Sequence, residues 1–178
     1  PNKVFFFKTH NSRIKYNNNY FTNEKFTKGF VYIVRDPRSV LVSTRSHYNY
    51  PSYKKSLENL FSDKHLSLAK YHVLPEFLLS WKTNYLSWKN FLKDNPNLGI
   101  IVKFEDLINK PKKTFSKIFT FIQKKQKIKF DSNKFNNSLK SINFNNLKKI
   151  ELNSGFDEKS SPDKKFFRKG LVDEWKQE

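Results

Sequence analysis

The stretch FVYIVRDPRSV (residues 30–40) joins an apolar run to a helix start. Residues 30–34 are all apolar or aromatic, which predicts a buried strand. Asp36 offers an N-cap oxygen and Pro37 fits the first helical position, so a helix is predicted from Pro37 onward. Arg35 therefore stands between a strand end and a helix N-terminus, where unpaired N–H groups favour an anion.

Further apolar patterns define the fold class. The runs at 3–8 and 98–104 are predicted to be buried strands, and apolar residues at helical spacing predict helices over 75–96 and 111–123. Strands alternating with helices indicate an α/β fold, a parallel sheet flanked by helices. With no internal repeat or boundary, residues 1–178 are interpreted as one domain.

The composition is strongly basic. Lys and Arg total 35 against 16 Asp and Glu, a formal net charge of +19. A polyanion partner such as nucleic acid is one interpretation. The other is compositional bias, because Lys and Asn are abundant and only five of the basic residues are Arg. The few arginines are therefore more informative than the many lysines.

The composition also excludes several kinds of site. The chain has no Cys, which rules out disulfides, a thiol nucleophile and a Cys-based metal site. The four His residues lack metal-ligand spacing, so no metal is predicted. No apolar run approaches membrane-spanning length, and PNKVFFFKTH lacks a signal-peptide cleavage site. These features favour a cytoplasmic protein.

Arg35 is a candidate anion ligand. Parallel sheets bind ligands beyond the carboxyl ends of their strands, and a guanidinium group grips phosphate with a planar fork. Ser43, two turns into the predicted helix, adds a hydroxyl on this interpretation. The alternative is a structural ion pair between Arg35 and Glu105 or Asp106, which follow the last predicted strand.

Two other stretches offer candidate groups. Near the end of the chain, FFRKG sets the cations Arg168 and Lys169 beside Gly170, whose backbone can approach an anion closely. An ordinary exposed turn is the alternative. The KTH stretch sets Lys8 and His10 at a predicted strand end, and His suits general-base chemistry near neutral pH. The alternative for His10 is a packed or hydrogen-bonded surface histidine.

Taken together and in order, these segments resemble the sulfotransferases that use 3'-phosphoadenosine 5'-phosphosulfate (PAPS). The matching segments are FFFKTH, VYIVRDPRSVLVSTRSHY, SWKTNYLSWKNF, IIVKFEDLINKPKKTFSKIFTFI and FFRKGLVDEWK. They span nearly the whole chain, and the ordered set is far more specific than any member. The resemblance implies a sulfotransferase fold of the P-loop nucleotide-hydrolase type.

The resemblance also implies roles for the candidate residues. Arg35 and Ser43 would hold the 3'-phosphate of PAPS, and Arg168, Lys169 and Gly170 would close over the same phosphate.

The other implied roles concern the adenine and the reaction. Phe104, where the family usually has tyrosine, and Phe144 would pack on the adenine. His10 would be the general base that takes the acceptor proton, with Lys8 near the sulfuryl group.

Two departures from the family pattern follow. Nothing matches the family's Lys-Ser/Thr-Gly-Thr loop for the 5'-phosphosulfate, so either an N-terminally truncated domain or an incomplete donor site is expected, and truncation is the preferred interpretation. Asp173 replaces a usual glycine, and its added carboxylate is expected to weaken phosphate binding.

The expected activity is in-line transfer of a sulfuryl group from PAPS to a hydroxyl or amine, without a metal. A small-molecule or carbohydrate acceptor is expected, and no specific nucleic acid. One rival is a nucleotide-binding kinase of related fold, although its glycine-rich loop has no counterpart here. The other rival is a non-catalytic nucleic-acid-binding protein, which the charge and the aromatic residues permit.

Overall fold

A computed structural model describes residues 4–67, 75–126, 128–161 and 163–178. The strands within these ranges are β1 (Lys15–Tyr16), β2 (Asn19–Tyr20), β3 (Phe30–Val34), β4 (Leu66–Ser67), β5 (Glu76–Phe77) and β6 (Gly99–Lys103). The helices are α1 (Pro37–His47), α2 (Tyr53–Phe61), α3 (Trp81–Asp94), α4 (Phe104–Asn109), α5 (Pro111–Gln126), α6 (Ser132–Ser141) and α7 (Phe144–Ser154), with a 3₁₀ helix at Glu174–Gln177. The chain is a mixed α/β fold with a parallel sheet, which confirms the predicted class.

The parallel pair β3–β6 is the centre of the fold. Its register runs from Phe30 opposite Gly99 to Val34 opposite Lys103. Gly99 leaves room for the Phe30 ring, because a Cβ at this position would lie 2.4 Å from that ring and displace it. Both strands run in the same direction, so the residues that follow them, Arg35 and Phe104, emerge at one edge.

Aromatic side chains of α3 cover one face of this pair. Trp88 and Phe91 are buried, and the Phe30 ring lies 4.9 Å from Trp88 and 5.7 Å from Phe91 between centroids. On the other face of β3, Ile33 is 52% exposed. The other four residues of β3 are half-buried, so the prediction of a buried strand holds only in part.

The start of α1 is as predicted. The Asp36 side chain caps the helix by accepting a hydrogen bond from the Arg38 backbone N–H, and Pro37 occupies the first turn, where no N–H is needed. Ser39 and Val42 are its buried residues.

Two predictions of secondary structure are wrong. Residues 4–8 form no strand, and Phe7 is 86% exposed, because no described strand pairs with them. Helix α3 begins at Trp81 rather than near residue 75, because Leu79 has a φ of +58° and Ser80 caps the helix by accepting from the Thr83 N–H. Within the four described ranges, no helix has the length and apolar character for crossing a membrane.

Candidate functional site

Arg35 lies at the shared carboxyl edge of β3 and β6. Its guanidinium carbon is 4.5 Å from the centre of the Phe104 ring, a cation–π contact between the residues that follow the two strands. The Trp81 indole N–H donates to the Arg35 carbonyl at 3.1 Å and fixes the backbone there. The alternative partner Glu105 instead accepts from the Asp36 backbone N–H at 2.9 Å.

The last residues of the chain, 166–178, which we call the tail, bring Arg168 to the same place. Arg168 Nη2 lies 2.7 Å from Oε1 of Glu174, and Arg35 Nη2 lies 3.8 Å from Oε2 of the same carboxylate. The Glu174 side chain is only 4% exposed, whereas those of Arg35 and Arg168 are 20% and 30% exposed. We call this trio, Arg35, Arg168 and Glu174, the arginine clamp.

The electrostatics of Arg35 reflect its crowding. Burial lowers the pKa of its guanidinium, Glu174 and Glu105 raise it, and the nearby positive charge of Arg168 lowers it again. Its Nε is buried and makes no hydrogen bond with any described residue. Two cations held this close together favour the binding of an anion.

Hydrogen bonds from Arg35 and from α1 hold the tail against the clamp. Ser39 Oγ donates to the Val172 carbonyl at 2.9 Å, and Arg35 Nη2 donates to the Leu171 carbonyl at 3.4 Å. The Arg38 guanidinium stacks on the Trp175 ring at 3.8 Å. The tail therefore docks on the elements that carry Arg35.

Helix α7 supports the tail from the other side. The buried carboxylate of Glu151 accepts the backbone N–H groups of Phe166 and Phe167, at 2.5 and 3.0 Å. Gly170 has a φ of +67°, and a Cβ there would lie 2.5 Å from the Phe144 ring. Phe144 thus packs directly against the turn that follows Arg168.

Three other residues near the tail show different environments. Lys169 pairs with Glu178 at 2.9 Å. Ser43 lies in α1 and is half-buried. Asp173 pairs with Lys176 at 2.8 Å and is largely exposed, so its carboxylate is not the one inside the clamp.

The amino-terminal candidates form a second group. Lys8 is bonded to Glu158, a residue distant in sequence. The backbone of His10 is fixed at both ends: its N–H donates to Glu76 at 2.7 Å, and its carbonyl accepts from Asn84 at 3.0 Å. The residue is exposed.

A cavity of about 490 Å³ adjoins this second group. Its lining residues are His47, Tyr48, Asn49, Asp157, Glu158, Lys159, Ser160, Ser161 and Lys164. Glu158 in its wall holds Lys8. Burial lowers the pKa of His47, Glu158 raises it, and the neighbouring His10 and Lys8 lower it. Lys8 and His10 therefore lie close enough to the cavity to influence a side chain in its wall.

Comparison with known proteins gives the family. The family profile described as "Sulfotransferase domain" matches residues 3–178. The chain belongs to the sulfotransferase family. The recognition made from the ordered motifs is thereby confirmed.

Two solved structures share the fold. The crystal structure of mouse sulfotransferase SULT7A1 complexed with PAP superimposes with a TM-score of 0.62 at 23% identity, covering 86% of this chain and 53% of that one. Retinol dehydratase in complex with androsterone and the inactive cofactor PAP gives a TM-score of 0.55 at 18% identity, covering 84% of this chain and 42% of that one. The chain thus spans about half the length of these structures. A search of curated proteins gives no match.

Three residues of this sulfotransferase domain contribute to the site in ways that the sequence patterns do not predict. Trp81 and Asn84 in the first turn of α3 bond the backbones of Arg35 and His10, whereas the apolar pattern of that helix predicts only its packing face. Glu174 lies within the FFRKGLVDEWK segment, whose pattern does not identify it as a partner of the arginines. The sequence feature that could indicate its role is its position, four residues after the Arg168-Lys169-Gly170 turn.

Proposed function

We propose that the protein transfers a sulfuryl group from PAPS to a hydroxyl or amine acceptor. The observation that carries the proposal is the convergence of Arg35 and Arg168, from two distant parts of the chain, on one point at the sheet edge. PAP, named in both structural neighbours, is PAPS without its sulfuryl group, which supports PAPS as the donor.

The residues around the clamp fit the 3'-phosphate end of this donor. Arg35 and Arg168 offer guanidinium N–H groups, and together with Ser43 and Lys169 they would bind the phosphate. Gly170 lets the backbone come close, and its contact with Phe144 sets an aromatic ring beside the phosphate site. Phe104 would supply the other ring toward the adenine, because it already packs against Arg35.

The reaction would use the amino-terminal group. The acceptor oxygen forms a bond to sulfur while the bond from sulfur to the bridging 5'-phosphate oxygen breaks, and His10 takes the acceptor proton. Lys8 would stabilise the sulfuryl oxygens after exchanging its contact with Glu158. The products are the sulfated acceptor and PAP. No metal enters the proposal, because a sulfuryl group carries less negative charge than a phosphoryl group.

We assign the acceptor to the cavity beside Lys8. Its volume of about 490 Å³ lies within the range of small-molecule sites, about 300–1,000 Å³. Glu158 belongs to its wall and also holds Lys8, so an acceptor in the cavity would lie next to the group proposed to contact sulfur. A small molecule or a single sugar unit fits this volume.

Calorimetry with adenosine 3',5'-bisphosphate (PAP) tests the proposal. Wild type should bind PAP, and Arg35→Ala should weaken binding about ten- to a hundredfold, because a charge-assisted contact contributes about 1.5–3 kcal/mol. Lys134→Ala, which removes an exposed positive charge on α6, is the control and should bind as wild type does. Equal affinity in Arg35→Ala and wild type would contradict the phosphate assignment, and no binding by wild type would contradict the donor.

A further inference from the structure

We propose that Glu174 is a positioning residue for the donor's 3'-phosphate, acting by holding the two guanidinium groups of the clamp side by side. The proposal rests on the proposed function and adds to it a residue that does not itself touch the donor. Three observations carry it: the shared carboxylate, the order of burial, and the docking of the tail.

The shared carboxylate offsets the repulsion between the two guanidinium groups. Arg35 and Arg168 repel each other, in a chain with a formal net charge of +19. One oxygen of Glu174 lies 2.7 Å from Arg168 and the other 3.8 Å from Arg35, so a single negative charge offsets the repulsion. Without it, the two cations would be expected to separate whenever no ligand is bound.

The order of burial argues against a different role, in which the carboxylate competes with phosphate. At 4% exposure the Glu174 side chain is more deeply buried than Arg35 at 20% or Arg168 at 30%. A phosphate arriving from solvent therefore meets guanidinium groups before it meets the carboxylate. Each guanidinium has five N–H donors. The Nε of Arg35 is buried, and the N–H groups that are neither buried nor bonded to Glu174 or to the Leu171 carbonyl remain for the ligand.

The tail fixes the carboxylate in place. Glu174 begins the short 3₁₀ helix. The residues just before it are tied to α1 by the bond from Ser39 to the Val172 carbonyl, and to the end of β3 by the bond from Arg35 to the Leu171 carbonyl. The next residue, Trp175, lies under the Arg38 guanidinium. The position of Glu174 is therefore determined by the same elements that carry Arg35, which gives the clamp a defined spacing.

The test is calorimetric titration of PAP into the full chain. Glu174→Gln keeps the shape but removes the charge, and PAP affinity should fall about tenfold (~1.4 kcal/mol). Glu174→Asp keeps the negative charge but shortens the side chain by one methylene, so its PAP affinity should lie between those of Glu174→Gln and wild type. Glu58→Gln, an exposed acid in α2, is the charge-matched control and should bind as wild type does.

A double-mutant cycle separates positioning from general structural support. If Glu174 acts through the arginines, the tenfold loss should shrink to about threefold in an Arg168→Ala background, because contacting residues are not additive. Urea midpoints of each variant identify any that fails to fold, in which case Glu174→Asp alone is compared with wild type and should bind PAP more weakly.

The outcomes are distinct. Tighter or equal binding by the folded Glu174 variants would overturn the positioning role and make the carboxylate a competitor or a bystander. An undiminished loss in the Arg168→Ala background would also overturn it. Absence of PAP binding by wild type would instead reject the proposed function.

Discussion

The arginine clamp and the amino-terminal segment, residues 4–10, differ in how firmly they are built. In the clamp, both cations share one buried carboxylate, and Arg35 is further fixed by Phe104. In the amino-terminal segment, the phenylalanines at 5, 6 and 7 are largely exposed and no strand forms. This segment is held by isolated polar contacts on its last three residues: the exposed Lys8 contacts Glu158, Thr9 bonds Glu76, and the His10 backbone bonds Glu76 and Asn84.

This difference indicates that the two regions determine different properties of the protein. Groups that are already fixed lose little entropy when a ligand binds, so the clamp should determine donor affinity. Groups at the amino-terminal segment should determine the rate of the chemical step, because they would act on the transferring sulfuryl group. Substitutions in the two regions should therefore separate affinity from rate.

The largest expected effect is on the rate, at His10. His10→Ala should slow sulfuryl transfer by roughly 10²–10⁴-fold, the usual contribution of a general base, and leave PAP affinity unchanged. The measurement uses labelled PAPS with whichever member of a panel of phenols, alcohols, amines and monosaccharides the wild type sulfates.

His65→Ala is the matched control for His10. His65 is bonded to Ser62 and Leu79 only through its backbone, so its replacement should leave the rate unchanged. Near-full activity of His10→Ala would remove His10 from the mechanism. A loss of PAP affinity in His10→Ala would break the division between the two regions.

Local chemistry explains the parts of the fold that sequence could predict. The strand at 30–34, the cap at Asp36 and the Pro37 start depend on neighbouring residues, and all three are found. The contact between Arg35 and Phe104 could also be predicted from the sequence, because the carboxyl ends of neighbouring parallel strands lie at one edge of the sheet.

Contacts between distant segments explain the rest. An apolar run such as 4–8 has the composition of a strand, but a strand exists only with a partner, and no described strand pairs with it. The carboxylate of Glu174 cannot be assigned to two arginines without knowing how the tail turns back onto α1. For the same reason, the contact of Lys8 with Glu158 has no signature in the local sequence.

An intermediate effect is expected at Gly170, where a substitution tests whether the turn after Arg168 shapes the clamp. Gly170→Ala should lower the free energy of unfolding by about 1–3 kcal/mol, because its Cβ must displace the Phe144 ring in addition to straining the backbone. PAP affinity should fall too, since Phe144 and the turn after Arg168 both shift. Urea denaturation and calorimetry measure the two effects.

Gly155→Ala is the matched control for this substitution. Gly155 has a similar φ of +74°, but nothing lies within 4 Å of the Cβ that would be added. It should show the backbone strain alone and leave PAP affinity intact. Equal effects of the two alanines on PAP binding would mean that the Phe144 contact does not shape the clamp.

The smallest effect concerns Glu151, which anchors the tail behind the clamp. Burial raises the pKa of its carboxyl, but hydrogen bonds from the backbone N–H groups of Phe166 and Phe167, with Lys159, lower it overall. A lowered folded-state pKa means that the stabilisation is fully present above the ordinary glutamate pKa, about 4.3, and is lost as pH falls through the folded-state value. Glu151→Gln keeps an acceptor without the charge and should cost about 1 kcal/mol at pH 7, the difference between charged and neutral hydrogen bonds. Urea denaturation of both proteins, repeated at decreasing pH, should show this gap closing in acid. A gap that stays constant with pH would mean that the charge of Glu151 does not hold the tail.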